Sequence, residues 1–196
     1  MNHIFYIMGK SASGKDTIYR ELLHEFEGKL KKIVLYTTRP MREGEQDGVE
    51  YHFTTGERLG ELERAGKVIE CRTYETVYGP WSYATVDDGQ IVPEEADYLA
   101  IGTLESYGKL REYYGAGRVT PLYITVDDGE RLERALARER RQKEPRYAEL
   151  CRRYLADEAD FAPENLKRLG ITRSYPNDGL EQCVEELEQT IFYTEP

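Results

Sequence analysis

The stretch Gly9-Lys10-Ser11-Ala12-Ser13-Gly14-Lys15 is the feature that most constrains the fold of this chain. An apolar and aromatic run from His3 to Met8 precedes it, and a helical stripe that includes Ile18, Leu22 and Phe26 follows it. This order predicts a buried strand, a glycine-rich turn and a helix. In that context the spacing G-x-x-x-x-G-K indicates a phosphate-binding loop, in which backbone N–H groups and the helix dipole hold phosphate oxygens.

Apolar periodicity along the rest of the chain predicts alternating strands and helices. The predicted strands cover residues 31–37, 49–54, 67–74, 82–86, 98–101, 119–126 and 171–175. The predicted helices cover residues 57–65, 104–110, 129–143, 147–161 and 180–192. Strands that alternate with helices favour a parallel sheet covered on both faces, and the short strands between 49 and 86 indicate an inserted subdomain.

The composition excludes several classes of protein. The chain has 196 residues and a formal net charge of -10, which argues against a nucleic-acid binder. Its cysteines, Cys71, Cys151 and Cys183, are odd in number and far apart, as expected of a reduced chain in the cytoplasm. No apolar run approaches the roughly 18 residues of a membrane span, and there is no secretion signal. We therefore expect a cytoplasmic monomer or homodimer with no nucleic-acid or membrane partner.

The residue after the loop lysine is unusual. Asp16 stands where such loops carry a Ser or Thr that ligates Mg²⁺, and Thr17 follows it. Because Mg²⁺ prefers hard oxygen ligands, one interpretation makes Asp16 and Thr17 metal ligands. The alternative is that Asp16 only favours the helix N-terminus electrostatically.

The segment TTRPMREGEQDGVEYHF, residues 37–53, is the most specific stretch in the chain. Its Arg39 and Arg42 can clamp one phosphate with forked hydrogen bonds, and the hydroxyl of Tyr51 can complete the cage. The segment resembles the GMP-binding segment of guanylate kinases, which reads TTR-x-x-R-x-G-E-x-x-G-x-x-Y-x-F. The resemblance spans nearly the whole chain and is strongest from Gly9 to Tyr51.

The resemblance implies an α/β fold: the three-layer fold of P-loop NTPases, with a parallel core sheet, an inserted small mixed α+β nucleoside-monophosphate-binding subdomain and a helical lid. It implies one domain over residues 1–196, with the core at 1–36, 97–128 and 162–196, the subdomain at 37–96 and the lid at 129–161. It also implies transfer of the γ-phosphate of ATP to GMP or dGMP, with Mg²⁺ as the cofactor and small-molecule nucleotides as the partners.

The resemblance also implies roles for particular residues. ATP would contact Gly9, Lys10, Ser11, Ala12, Ser13, Gly14, Lys15, Asp16 and Thr17. GMP would contact Arg39, Arg42, Tyr51, Glu70 and Tyr78, with Glu70 accepting hydrogen bonds from the guanine edge. The catalytic residues would be Lys15, Arg138, Arg141 and Arg153, the last three drawn from an arginine-rich lid. Asn177 would lie near a nucleotide base.

Departures from the family pattern concern the acceptor. Leu35 stands where the family has a serine that helps to read guanine, and Pro80 follows Tyr78-Gly79 where the family has Ser or Thr. The strand at residues 98–102 lacks the family's D-x-D aspartates. These departures leave open a kinase of the same fold with another phosphorylated acceptor, such as ribose 1,5-bisphosphate or another nucleoside monophosphate. A second alternative is a non-catalytic binding module of this fold, against which the intact Gly14-Lys15 argues.

Overall fold

The structure is a computed structural model that describes residues 2–76 and 78–193. Within those ranges the elements, in chain order, are β1 (Ile4–Met8), α1 (Lys15–Glu25), β2 (Leu30–Lys32), β3 (Tyr36–Thr37), β4 (His52–Phe53), α2 (Gly56–Arg64), β5 (Val68–Thr76), β6 (Gly79–Val86), β7 (Asp97–Ile101), α3 (Leu104–Tyr114), β8 (Val119–Thr125), α4 (Asp128–Arg140), α5 (Tyr147–Asp160), α6 (Pro163–Arg168), β9 (Ser174–Pro176) and α7 (Leu180–Phe192). No helix in the described ranges is long and apolar enough to cross a membrane.

The core is a parallel sheet with the strand order β2-β7-β1-β8-β9. Its central strand, β1, is buried along its whole length because both faces of the sheet are covered. Ile4, Tyr6 and Met8 pack on one side with residues of α3, while Phe5 and Ile7 pack on the other with residues of α1 and α7. The predicted three-layer α/β architecture is confirmed.

The carboxyl ends of β1, β7 and β8 meet at one edge of this sheet. The Gly9–Lys15 loop follows β1, α3 begins after β7, and α4 begins after β8 at the N-cap residue Asp127, whose carboxylate accepts hydrogen bonds from the N–H groups of Gly129 and Glu130. Loops at the carboxyl ends of parallel strands form the ligand-binding crevice in folds of this class. The candidate site is therefore expected here.

A second, smaller sheet has the strand order β4-β3-β6-β5. On one of its faces, Leu59 and Leu62 of α2 pack against Ala84 and Val86 of β6. β5 lies beside α3, and residues of both elements line a cavity. The small sheet is mixed, because β3 runs parallel to β4 and antiparallel to β6, as the predicted α+β subdomain requires.

Some predicted elements differ from the structure. The single strand predicted for residues 31–37 divides into β2, in the core sheet, and β3, in the small sheet. Between them, the N–H and C=O groups of Val34 bind the side-chain amide of Gln90, at 2.8 and 3.1 Å, instead of a neighbouring strand. The strand predicted for residues 49–54 is shorter in the structure, where β4 covers only His52–Phe53. The strand predicted for 171–175 is displaced to Ser174–Pro176, and helix α6 was not predicted.

Packing at the end of β7 leaves no room for a side chain at position 102. A Cβ atom on Gly102 would lie 2.1 Å from Oη of Tyr6, which is 3% exposed and bonds Oγ of Ser106 at 2.6 Å. Burial raises the pKa of Tyr6, so its hydroxyl stays protonated and can donate that bond. The tyrosine therefore fills the space that a side chain at position 102 would need.

We expect Gly102→Ala to destabilise the protein by about 1–3 kcal/mol, because the new methyl group overlaps the Tyr6 hydroxyl. Urea denaturation measures the change. In the Tyr6→Phe background the same substitution should cost less, since the nearest clashing atom is gone. Gly117→Ala is the control: its Cβ would enter open space, and its effect should stay within about 0.5 kcal/mol. A Gly102→Ala protein as stable as this control would contradict the packing argument.

Candidate active site

The loop from Gly9 to Lys15 joins β1 to α1. Ala12 and Gly14 have left-handed backbone conformations, with φ of 66° and 85°. Left-handed residues in such a turn direct successive N–H groups into a concavity that binds anions. Lys15 begins α1, and its Nζ lies 3.4 Å from Oδ2 of the exposed Asp16. The loop thus offers backbone donors, a helix N-terminus and an ammonium group to a phosphate chain.

The side chain of Asn177 supports this loop with a hydrogen bond. Its side-chain Nδ2 donates to the carbonyl of Ser13 at 2.8 Å, and its own N–H donates to the carbonyl of Thr125. The residue is buried, and a Cβ on Gly14 would lie 2.3 Å from Nδ2. The amide nitrogen of Asn177 is therefore already bound to the loop, while its predicted contact with a nucleotide base stays a prediction.

Two carboxylates of α5 bind the other side of the loop. Oδ2 of Asp157 accepts a hydrogen bond from the N–H of Ser11 at 2.7 Å. Oε1 of Glu158 accepts one from Nζ of Lys10, also at 2.7 Å. These bonds tie the helix to the phosphate-binding loop directly.

Both carboxylates also compensate a buried cation. The guanidinium of Arg131 on α4 is 1% exposed, binds Asp128, Asp157 and Glu158, and lies 4.1 Å from the ring centroid of Tyr154. A buried guanidinium requires such pairing, because its desolvation is otherwise very costly. The cluster joins α4 and α5 to the loop as one unit.

A cavity of about 520 Å³ lies beside this unit. Ser11 of the loop, Arg42, Arg138 and Arg153 all line it, so residues from three parts of the chain converge there. Arg141 is not among its lining residues and instead caps the C-terminus of α4. The arginine-rich lining is a local positive surface on a chain whose net charge is -10.

Arg39 is buried rather than free in its loop. Its Nη1 and Nη2 donate to the two carboxylate oxygens of Glu45, at 2.9 and 2.7 Å, and its guanidinium lies 5.2 Å from the ring of Tyr51 and 5.5 Å from the ring of Phe53. Glu45 also accepts the N–H of Arg42 at 2.7 Å. Together the hydrogen bonds from Arg39 and Arg42 lower the pKa of Glu45 to about 2.

The two predicted phosphate-contacting tyrosines lie in different places. Tyr51 is half-buried beside Arg39, and burial raises its pKa, so its hydroxyl is a donor at neutral pH. Tyr78 is 81% exposed at the turn between β5 and β6, where it stacks on Trp81. The tyrosine that lies near Tyr51 is Tyr83 rather than Tyr78, and the ring centroids of Tyr51 and Tyr83 are 5.7 Å apart. A contact between Tyr78 and GMP stays a prediction.

Glu70 is buried, and both of its carboxylate oxygens are bonded. Thr85 donates to Oε1 at 2.9 Å, and Nε of Arg72 donates to Oε2 at 3.0 Å. A bulge in β5 between Val68 and Glu70 shifts the strand register, which places Glu70 opposite Thr85. The predicted base-reading carboxylate is therefore fixed in position by an arginine and a threonine.

Several of these site residues were not predicted. The residues that the sequence did not indicate are Arg72, Tyr83, Asp157 and Glu158. For Arg72 a signal existed, since residues i and i+2 of a strand share a face and Arg72 follows Glu70 at that spacing. The carboxylates of α5 had no such signal, because their partners are distant in the chain.

The donors near the loop suit a magnesium ion held mainly by substrate phosphates. Among the described residues, no group of three or more His, Cys, Asp and Glu is placed to hold a metal ion by itself. Mg²⁺ bound with nucleotides commonly uses one or two carboxylates together with phosphate oxygens and water. The exposed carboxylate of Asp16 and the hydroxyl of Thr17 fit that requirement.

Comparison with known proteins places the chain in a family. The family model for guanylate kinase matches residues 1–90. The guanylate kinase of Symbiobacterium thermophilum is 33% identical over 195 residues, covering 96% of this chain and 84% of the relative. The chain belongs to the guanylate kinase family.

Other guanylate kinases align over less of their length. Those of two Campylobacter jejuni strains are 29% identical over 137 residues, which is 68% of this chain but 63% of the relatives. That of Streptococcus pneumoniae is 41% identical over 85 residues, 41% of each chain. The crystal structure of the guanylate kinase from Anaplasma phagocytophilum matches with a TM-score of 0.59 and 21% identity, over 97% of this chain and 84% of that chain. That match supports the fold.

The Arg39–Glu45 pair predicts a pH dependence of stability. Because the pKa of Glu45 falls from 4.5 to about 2, its contribution is complete above about pH 4.5 and is lost as the pH falls towards 2. Glu45→Gln should therefore be less stable than the wild type at pH 6, and the difference should shrink between pH 4.5 and 2. Urea denaturation at a series of pH values checks this. A difference that stays constant over that range would contradict the pairing.

Proposed function

We propose that this protein transfers the γ-phosphate of ATP to GMP or dGMP, giving ADP and GDP or dGDP. The observation that carries the proposal is the cavity of about 520 Å³, because Ser11 of the phosphate-binding loop, Arg42 of the acceptor segment and the lid residues Arg138 and Arg153 line the same space. A donor phosphate on the loop and an acceptor phosphate on Arg42 would meet there.

The chemistry requires positioning and charge neutralisation rather than an acid–base pair. An oxygen of the acceptor phosphate forms a bond to the γ-phosphorus, the bond from phosphorus to the β,γ-bridging oxygen breaks, and ADP leaves with its electron pair. Lys15 and the lid arginines would neutralise the charge that spreads over the transferred group. Among the lid arginines we propose Arg138 and Arg153 first, since both line the cavity, and retain Arg141 as a residue that closure would bring closer.

The acceptor would be held by Arg39, Arg42 and Tyr51 at its phosphate and by Glu70 at its base. The Arg39–Glu45 pair keeps the first guanidinium in place, while Tyr51 offers a neutral hydroxyl donor beside it. Tyr78 would reach the acceptor only through movement of the β5–β6 hairpin. Asn177 would contact a base only in addition to its bond to the loop.

We propose that Mg²⁺ accompanies ATP, with the carboxylate of Asp16 and the hydroxyl of Thr17 nearest to it. The ion would supply charge neutralisation between the phosphates. Asp16 is exposed and is paired only loosely with Lys15, at 3.4 Å, so it is available as a ligand.

We also propose that the parts of the domain have separate tasks: a core (1–36, 97–128 and 162–196) that binds ATP, an acceptor subdomain (37–96) and a lid (129–161). The two sheets and the α4–α5 unit support this division. A cytoplasmic location is proposed because Cys71, Cys151 and Cys183 are all free thiols, as in a reducing compartment.

A panel of acceptors tests the reaction. The purified protein is incubated with Mg-ATP and, separately, GMP, dGMP, AMP, CMP, UMP and ribose 1,5-bisphosphate, and ADP release is followed. We expect turnover with GMP and dGMP. Turnover confined to the sugar phosphate or to another nucleotide would contradict the proposed acceptor, and no turnover with any acceptor would contradict the activity.

A pair of variants tests the role of the cavity. Arg153→Ala should lower kcat on the order of a hundredfold, because it removes a donor from the space where charge develops. Arg152→Ala is the matched control, since Arg152 bonds the same Glu149 but is not among the residues that line the cavity. Equal losses in the two variants would show that Arg153 acts only by stabilising α5.

The metal proposal predicts a changed Mg²⁺ dependence for Asp16→Ala. With its carboxylate removed, the concentration of Mg²⁺ needed for half-maximal ATP binding should rise, while ATP binding without metal should not weaken. Titration calorimetry with and without Mg²⁺ measures both. If Asp16 acts only on the helix dipole, the metal dependence will be unchanged.

A further inference from the structure

Strand β5, in the proposed acceptor subdomain, holds an arginine whose donors are only partly used. Arg72 lies two residues after Glu70 on β5, and its side chain is 15% exposed. Its Nε donates to Glu70 at 3.0 Å, and its Nη2 makes a longer contact with the same carboxylate at 3.4 Å. The guanidinium therefore meets the carboxylate with the edge formed by Nε and Nη2.

The other edge of the guanidinium remains available. Within residues 2–76 and 78–193, Nη1 of Arg72 forms no hydrogen bond. Arg72 lines the cavity of about 610 Å³ between β5 and α3. Thr85, which bonds the same Glu70, lines a separate cavity of about 260 Å³. The two partners of the buried Glu70 carboxylate therefore line different cavities, and Arg72 lines the larger of the two.

The bonding of Glu70 limits what it can read alone. A carboxylate accepts about four hydrogen bonds, and Thr85 and Arg72 already supply three contacts to it. Little acceptor capacity is left for the donors of a base, whereas Arg72 still offers unused N–H groups. The pair as a whole therefore presents more donors than acceptors to the cleft.

We propose that Arg72 is a specificity-determining residue that reads the O6 and N7 atoms of guanine with its free Nη1–Nη2 edge, beside Glu70. This inference rests on the proposed function. On the guanine ring O6 lies between N1 and N7, so a donor next to the carboxylate that accepts the N1–H meets O6. An arginine bidentate to O6 and N7 is the commonest side-chain contact to guanine.

The assignment accounts for a departure in the sequence. Leu35, where the family has a base-reading serine, lines the smaller cavity together with Ile33 and Ala100 and adds no polar group to it. Arg72, which is fixed beside Glu70, supplies the donor to O6 that this lining lacks. Adenine, with an amino group at position 6, would bring one donor against another and be rejected.

The test uses base analogues with the wild type and with Arg72→Lys, which keeps the charge beside Glu70 but loses the fork. The analogues are the monophosphates of 7-deazaguanosine, which lacks N7, and of 6-thioguanosine, which keeps the N1–H but replaces O6 by sulfur, a weaker acceptor. For the wild type we expect kcat/KM and binding affinity to fall about five- to a hundredfold for each analogue relative to GMP. In Arg72→Lys this discrimination should disappear, with GMP weakened to the level of the analogues.

Controls separate the possible failures. Arg58→Lys changes another arginine that is paired with a glutamate on the same subdomain, and it should keep the wild-type discrimination. Thermal melting verifies that both variants fold. If Arg72→Lys does not fold, Arg72→Gln, whose side chain is a neutral donor, replaces it in the test. If a variant at position 72 still phosphorylates GMP and still discriminates GMP from the two analogues as the wild type does, this inference alone is overturned. A wild type that neither binds nor phosphorylates GMP would overturn the proposed function and this inference together.

Discussion

The guanidinium of Arg131 is buried among Asp128, Asp157 and Glu158, and the organisation of the site depends on that cluster. A buried cation keeps its partners close, because each carboxylate that leaves exposes an uncompensated charge. All three carboxylates also bind the phosphate-binding loop: Asp157 accepts from Ser11, and Asp128 and Glu158 accept from Lys10. Helices α4 and α5 therefore rest on the loop through charge pairing rather than through an apolar interface, and α5 contributes no fully buried residue.

This arrangement has a consequence for ligand binding. Asp157 accepts from an N–H of the loop that we propose to hold ATP, so a carboxylate and a phosphate chain would share one small region. Movement of the proposed lid would have to preserve these charge pairs, because the buried guanidinium of Arg131 needs its partners. Arg39 and Arg72 are likewise each paired with a glutamate.

The sequence predicted the parts of the fold that follow from local periodicity. The strand–loop–helix unit and α7 lie where they were expected, because each has a clear apolar pattern and a glycine at its boundary. The division of residues 31–37 between two sheets was not predictable, since it depends on Gln90, which is distant in the chain. Nor was the packing of Tyr6 against Gly102, which needs two strands in register. The charged residues of the site could be listed from the sequence, but the sequence does not show which of them form ion pairs.

The central claim is that the phosphate-binding loop and the arginines that line the same cavity, Arg42, Arg138 and Arg153, form one continuous site for two nucleotides. Titration calorimetry with a bisubstrate compound, adenosine and guanosine joined through a pentaphosphate, tests it most directly. We expect one compound to bind per chain, on the order of a hundredfold more tightly than ATP, and we expect this gain in affinity to be lost in Arg42→Ala. A compound that binds no more tightly than ATP alone would show that the two sites do not meet.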